Sequence, residues 1–315
     1  MVDINQRRVE AALEAASPAV HTSELAKSFG HNVALAGLTM TVPRGEVFGF
    51  LGPNGAGKTT AVKLLLGLIA PSSGGAWVLG SPAGDLKTRR RVGYLPELFR
   101  FQAWLSAREV LALHCELARI ERGRWQGEID RCLEVAGLAD RAEGRVGTFS
   151  KGMQQRLGLA SALLGNPELV LLDEPTSALD PVGRHDVREV IRDLKRQGTA
   201  VFLNSHMLAE VEQVCDRVAV VDHGRVVATG PLDQLLAGGT LRVRIGGLDG
   251  SIRAALAGFG EVGDEAGWLT VHGIDLDRVP DLIAEVVRLG ARVYAVEPRK
   301  QSLEDRFLEL LGGSS

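Results

Sequence analysis

Two periods of apolar and polar positions run along this chain, and the changes between them mark its parts. From Val20 to Leu51 come short β-type runs, VALAGLTMTV and EVFGFL among them, with Pro43-Arg44-Gly45 as the turn between these two. A glycine-rich stretch follows. After it, TTAVKLLLGLIA has helical content and stops before Pro71. From about Ala83 to Gly165 apolar residues fall at helical spacing, as in Val110, His114 and Leu117, or Ile129 and Leu133. This stretch reads as a helical insertion. Beyond it strands and helices alternate: LVLL, PVGRHDVREVIRDLKRQG, TAVFLN, MLAEVEQVC and RVAVVD. The long helix has clear ends, with Asp180 as N-cap, Pro181 at the first helical position and Gly198 just past its end. Such alternation calls for crossover connections and a parallel sheet.

After Gly230-Pro231 the pattern changes again. LRVRI, DGSIRAALAGFG, two short strands around Gly267, VPDLIAEVVRLG and RVYAVE read as β-α-β-β-α-β, the order of a small ferredoxin-like sandwich. SLEDRFLELLGG closes the chain as a capped helix with Leu303, Phe307 and Leu310 on one stripe. The expected organisation is an extension over 1–19, an α/β domain over 20–236 with its insertion over about 83–165, and an α+β accessory domain over 237–315.

Composition narrows the class. The chain has 315 residues, 45% of them hydrophobic and 24% charged, enough to bury one large core and one small one. Its 36 basic and 39 acidic residues are mixed, giving a net charge of −3 and no basic block that would suit nucleic acid. Apolar runs such as Leu64–Leu66 and Leu169–Leu172 fall far short of the roughly 18 residues a membrane span needs. MVDINQRRVEAALEAASPAV lacks the apolar core of a secretory signal. Cys115, Cys132 and Cys215 match neither a disulfide framework nor metal spacing, and read as buried residues of a reduced protein.

Two motifs carry chemistry. Gly52-Pro53-Asn54-Gly55-Ala56-Gly57-Lys58-Thr59 matches G-x-x-x-x-G-K-[ST], with a strand before it and a helix after it. Its glycines let backbone N–H groups surround a β-phosphate, helped by the helix N-terminus at Lys58, Thr59 and Thr60. Lys58 neutralises the β/γ-phosphates, and the Thr59 hydroxyl takes a magnesium position. ATP and Mg2+ are therefore the expected cofactors. The second motif, LVLLDEP, ends a buried-type strand in two carboxylates. Asp173 suits magnesium, held through water, and Glu174 suits the general base that takes the proton of an attacking water. Alone this pair would read as a surface feature; the upstream loop gives it meaning.

The run Phe149-Ser150-Lys151-Gly152-Met153-Gln154-Gln155-Arg156, the acidic strand, Ser177-Ala178-Leu179-Asp180 and Ser205-His206 follow one another in an order that resembles an ATP-binding cassette ATPase. The resemblance covers about Val20–Gly230 and implies a P-loop NTPase core with an antiparallel β subdomain and a helical insertion. It also implies that Ser150 and Gly152 contact the γ-phosphate of ATP held by a second subunit, in a head-to-tail homodimer or paired cassette. Ser177–Asp180 resembles the loop that links the two sites, and His206 the histidine that contacts the γ-phosphate. Phe29 stands where the family usually stacks a tyrosine on adenine, and Glu97 where it has a magnesium-sensing glutamine. Lys151 and Met153 also depart from the usual signature.

GYLPE, SKGMQQR and the tail VEPRKQSLEDRFLEL resemble the subgroup that exports drugs, antibiotics, lipids or sodium with a separate membrane-spanning permease subunit. That resemblance implies a peripheral protein on the cytoplasmic face of the cell membrane. Leu98-Phe99-Arg100-Phe101-Gln102-Ala103-Trp104 interleaves three aromatics with polar residues; it suits a groove for the permease, with one aromatic belonging to the core. A soluble cassette acting on ribosomes or DNA is the rival reading. It fits less well, because the chain has one glycine-rich loop and no sustained heptads. A third reading makes the C-terminal unit a small-molecule sensor, but it carries no ligand motif.

Overall fold

Three runs of apolar residues, VFGFL, LVLLD and AVFLN, form β3 (Val47–Leu51), β7 (Leu169–Asp173) and β8 (Ala200–Asn204), and every residue in them is buried. Strands without alternation belong in a parallel sheet covered on both faces, and β3, β7 and β8 pair parallel at its centre. The computed structural model describes residues 17–312 apart from Ala178, Ala237, Ala266 and Gln301. The expected N-terminal extension thus lies outside the described residues as far as residue 16, as does Ala178 of the linking loop. The chain divides into two compact units between Gly230 and Pro231.

In the first unit, β1 (Val20–Phe29), β2 (Asn32–Val42), β4 (Ser73–Val78) and β5 (Ser81–Pro82) make an antiparallel sheet in the order β2-β1-β4-β5. The six-stranded sheet runs β10-β9-β3-β8-β7-β6, adding β6 (Val92–Leu95), β9 (Arg217–Asp222) and β10 (Arg225–Pro231). Phe202 on β8 lies 5.9 Å from Phe48 and 5.2 Å from Phe50 on β3, ring centre to ring centre, in the main core. Each such side chain contributes roughly 1.5–3 kcal/mol by leaving water.

Helices α1 (Lys58–Leu65), α2 (Leu86–Arg89), α3 (Ala107–Leu117), α4 (Trp125–Val135), α5 (Lys151–Ala162), α6 (Pro181–Arg196) and α7 (Leu208–Val214) complete this unit. Asp180 caps α6 by accepting from the Gly183 N–H at 2.8 Å, with Pro181 behind it. Two details differ from the sequence expectation. The stretch over 83–165 is not helical throughout, because Val92–Leu95 forms β6 and pairs parallel with β7. In α3 the inward stripe is Val110, Leu111 and Cys115, whereas Leu117 is exposed. The helical period holds, but the buried face is rotated from the one expected. All three cysteines are free and buried.

The second unit contains α8 (Leu232–Leu235), β11 (Gly239–Gly246), α9 (Gly250–Ala257), β12 (Glu261–Glu265), β13 (Trp268–Ile274), α10 (Val279–Arg288), β14 (Arg292–Lys300) and α11 (Leu303–Gly312). Its sheet order is β12-β13-β11-β14, all antiparallel. Leu241, Val243 and Val271 from the strands pack with Ile252, Leu256, Leu282 and Val286 from α9 and α10.

Candidate functional site

Residues 52–57 carry the chain from β3 into α1, and sterics explain their glycines. A Cβ on Gly52 would lie 2.2 Å from the Val221 carbonyl oxygen, and one on Gly57 2.3 Å from that of Ala34. Gly57 also has φ +99°, a left-handed backbone that glycine adopts without penalty. Pro53, Asn54, Gly55 and Ala56 form the turn between, with the Ala56 N–H donating to the Pro53 carbonyl at 3.2 Å. Lys58 opens α1 and is buried; its Nζ donates to the Gly52 carbonyl at 2.7 Å and to that of Pro53 at 3.2 Å. Burial pushes the Lys58 ammonium below its ordinary range, against the pull of Glu174, Asp173 and Glu97. Thr59 is exposed and Thr60 half-buried on the first turn.

The acidic pair sits at the C-terminal end of β7, beside the end of β8. Asp173 and Glu174 are both buried. Burial pushes the Asp173 carboxyl above its ordinary range; a hydrogen bond from Asn204 opposes this, while Glu97 and Glu174 add to it. The Asn204 Nδ2 donates to Asp173 Oδ1 at 2.5 Å. Glu174 has φ +50°, a left-handed conformation that costs a non-glycine residue of order 1–3 kcal/mol and clusters at functional sites. Its N–H donates to the Asn204 carbonyl at 2.9 Å. His206 donates its N–H to Glu174 Oε1 at 3.0 Å, and its Nδ1 is 2.8 Å from the same oxygen. Glu174 Oε2 and Asn204 Oδ1 are buried and have no hydrogen-bond partner among the described residues.

A cavity of about 230 Å³ brings these groups together. Asn54, Gly55, Lys58 and Thr59 line it from the loop and α1; Glu97, Asp173, Glu174, Ser177, Asn204 and His206 line it from the other side. Sequence reasoning passed over Asn204. The available signal was a carboxamide ending an otherwise apolar strand. Phe29, Ser150 and Gly152 are not part of the lining. Phe29 is exposed at the end of β1, with Lys27 Nζ 5.0 Å from its ring centre. Ser150 caps α5 at an exposed position, its Oγ accepting from the Met153 N–H at 3.2 Å, and Gly152 lies in the first turn of that helix.

Among the described residues no group of three His, Cys, Asp or Glu could hold a metal unaided. Magnesium needs no such cage, being held by one or two carboxylates together with phosphate and water. The all-oxygen set of Thr59, Asp173 and Glu97, beside the unpartnered Asn204 Oδ1, fits that hard cation arriving with a nucleotide.

The aromatic run after Glu97 divides differently from the expectation of one core residue. Phe99 and Phe101 are both half-buried and 5.1 Å apart, and Phe99 lies so close to α5 that a Cβ on Gly158 would meet it at 2.6 Å. Leu98 and Trp104 are 87% and 72% exposed. A groove of about 660 Å³ is lined from this run by Phe99, Arg100, Phe101 and Gln102, and elsewhere by residues that include Tyr94, Leu113, Arg89 and Arg119; Leu98 and Trp104 are not in its lining.

The sequence model of the family described as ABC transporter matches residues 35–177. An ABC transporter ATP-binding protein of a Nostoc species, itself uncharacterized, is 42% identical over 88% of this chain and 82% of its own length. The chain belongs to the ATP-binding proteins of ABC transporters. It is thus an ATP-binding cassette with a P-loop NTPase fold and the ATPase activity of that family. The bacitracin transport ATP-binding protein of Bacillus licheniformis is 35% identical to this cassette over 95% of the chain and 99% of its own length. The Nod factor export ATP-binding protein of a Rhizobium species is 39% identical over 67% and 70%. Among solved structures, a dimeric ATP-binding cassette in a post-hydrolysis state, bound to ADP and Pi, superimposes with a TM-score of 0.62. It is 25% identical over 68% of this chain and 98% of its own. Among the described residues no helix is long and apolar enough to cross a membrane.

Proposed function

We propose that this cassette hydrolyses ATP at sites completed by a second cassette, and so powers export through a separate membrane-spanning permease subunit. One observation carries the reading. Lys58, Asp173, Glu174 and His206 border one cavity, while the exposed Ser150 and the half-buried Gly152 stand at the N-terminus of α5, outside its lining. A helix N-terminus left facing solvent has N–H groups to offer an anion, and the γ-phosphate of ATP on a partner cassette is the anion proposed.

Each group takes the part that suits its chemistry. Backbone N–H groups of Gly55–Thr59 and the Lys58 ammonium bind the β- and γ-phosphates; the exposed Phe29 ring stacks on adenine. Thr59 and Asp173 hold magnesium, with Glu97 beside them, and the ion when bound offsets phosphate charge. Glu174 takes the proton of the in-line water as the water oxygen bonds to the γ-phosphorus and the bond to the β-bridging oxygen breaks. ADP and phosphate leave. His206 pins the other oxygen of Glu174 and presents the rest of its ring to the γ-phosphate.

Export is supported by the relatives named for bacitracin transport and Nod factor export. The permease is assigned to the surface of this run, where Leu98 and Trp104 are exposed and a groove lined by both aromatic and arginine side chains lies at Phe99–Gln102. On this reading the cassette is a peripheral protein on the cytoplasmic face of the membrane. The accessory domain, 237–315 by sequence, is assigned a structural or dimer-supporting role.

Complementation tests the shared site. Lys58→Ala and Gly152→Asp are each expected to abolish hydrolysis alone. Mixed, they form one seam with an intact loop facing an intact signature, and a substantial fraction of activity returns. A mixture as inactive as its components would overturn the shared site.

A further inference from the structure

We propose that Asn204 is a positioning residue that orients the magnesium carboxylate and the catalytic base together. The proposal rests on the reading of Asp173 as metal ligand and Glu174 as base. Asn204 ends β8 directly opposite Asp173 on the parallel strand β7. It follows Ala200-Val201-Phe202-Leu203, and at 2% exposure it is as buried as they are. A carboxamide there is unfavourable unless it is hydrogen-bonded, and packing alone would be served by an apolar residue.

The side-chain hold explains the asparagine, and a backbone hold that any residue there would make adds to it. Its side-chain Nδ2 donates to Asp173 Oδ1 at 2.5 Å, and its backbone carbonyl accepts the Glu174 N–H at 2.9 Å. One residue therefore grips the side chain of the first carboxylate and the backbone of the second. The second hold falls at the residue whose φ is +50°, where the chain must be over-determined to keep a left-handed turn. The first hold settles the amide's orientation. An ionised carboxylate only accepts, so the NH2 end faces Asp173 and the oxygen faces away. That oxygen, Oδ1, has no hydrogen-bond partner among the described residues and belongs to a residue lining the cavity shared by Lys58 and Glu97. The NH2 end, bonded to Asp173 Oδ1, fixes which Asp173 oxygen is left for the metal. Partners of this outer kind orient a ligand without touching the ion.

Manganese binding to the ADP complex, followed by the electron paramagnetic resonance of free Mn2+, tests the idea apart from turnover. Asn204→Val and Asn204→Thr are close in shape and differ by a methyl for a hydroxyl. Asn204→Val is expected to weaken Mn2+ affinity on the order of tenfold, with metal-free ADP affinity unchanged. Asn204→Thr, able to donate across the strand pair, recovers most of it. Asp173→Asn in the same assay is expected to lose Mn2+ binding. If Asp173→Asn binds Mn2+ like the parent, the metal-site reading itself fails. If Asp173→Asn loses the metal while Asn204→Val keeps parental affinity, the role of Asn204 is overturned. Should Asn204→Val not melt cooperatively, Asn204→Ala relieves any crowding and carries the same expectation.

Discussion

Glu174 and His206 are joined at a single oxygen: Glu174 Oε1 lies 3.0 Å from the His206 backbone nitrogen and 2.8 Å from its Nδ1. A carboxylate only accepts, so Nδ1 carries the hydrogen and Nε2 is left for a third group. The other carboxylate oxygen is buried and remains without a partner among the described residues. Glu174→Gln should therefore bind ATP with near-parental affinity and hydrolyse it about 10²–10⁴ more slowly, the usual loss on removing a general base. Glu97 is the rival, being the third carboxylate on the same cavity after Asp173 and Glu174. Single-turnover hydrolysis by Glu97→Gln should be slowed far less. A Glu97 variant that stops while the Glu174 variant turns over would exchange their roles.

Lys58 is the loop's cation on a cavity that also holds three carboxylates. Lys58→Ala leaves the phosphates facing those carboxylates without it, and equilibrium binding of labelled ATP should fall to background. Near-normal affinity would contradict the loop assignment.

Because Ser150 and Gly152 lie outside the cavity of their own subunit, ATP trapped in Glu174→Gln should bridge two cassettes. Light scattering should give a monomer without nucleotide and a doubled mass with ATP. An unchanged mass, with binding confirmed, would mean that closure of this cassette needs the permease subunit.

The run behind Glu97 offers two distinct kinds of aromatic. Trp104→Ala with Leu98→Ala removes exposed surface, so basal hydrolysis and melting should hold while co-purification with the permease drops. Phe99→Ala opens a gap against Gly158 and should lower stability by about 1–3 kcal/mol as well. Undiminished co-purification of the double variant would remove this surface from the interface.

Glu168 accepts from Arg91 at 2.5 and 2.8 Å and from Arg44 at 2.8 Å. The Arg91 hydrogen bonds first, then the one from Arg44, hold its carboxyl below the ordinary range against partial burial. A depressed carboxylate contributes stability above its unfolded pKa, near about 4.3, and loses it as pH falls through the folded value. Glu168→Gln should therefore melt earlier than the parent at pH 7, and the gap should close below about pH 4. A gap that persists at low pH would show that packing rather than charge is responsible.

How much of this was legible in the sequence depended on how local each cause is. The loop from Gly52 to Thr59 was readable because its glycines, lysine and threonine act through neighbouring backbone. The ends of α6 were readable because Asp180 and Pro181 cap by local geometry. Continuous apolar runs marked β3, β7 and β8, since a strand buried on both faces has no polar side to show. The short strand β6 was hidden inside a stretch read as helical, because four residues carry little period and only pairing with β7 decides their state. Leu117 looked like core and is exposed, for spacing gives a stripe but not which neighbour it meets. Asn204 was passed over because its meaning lies in Asp173, 31 positions away in sequence, and strand pairing alone makes them neighbours. The residue types determined which chemistry was available; the tertiary structure decided which groups share one cavity, because burial and orientation arise only when distant segments pack.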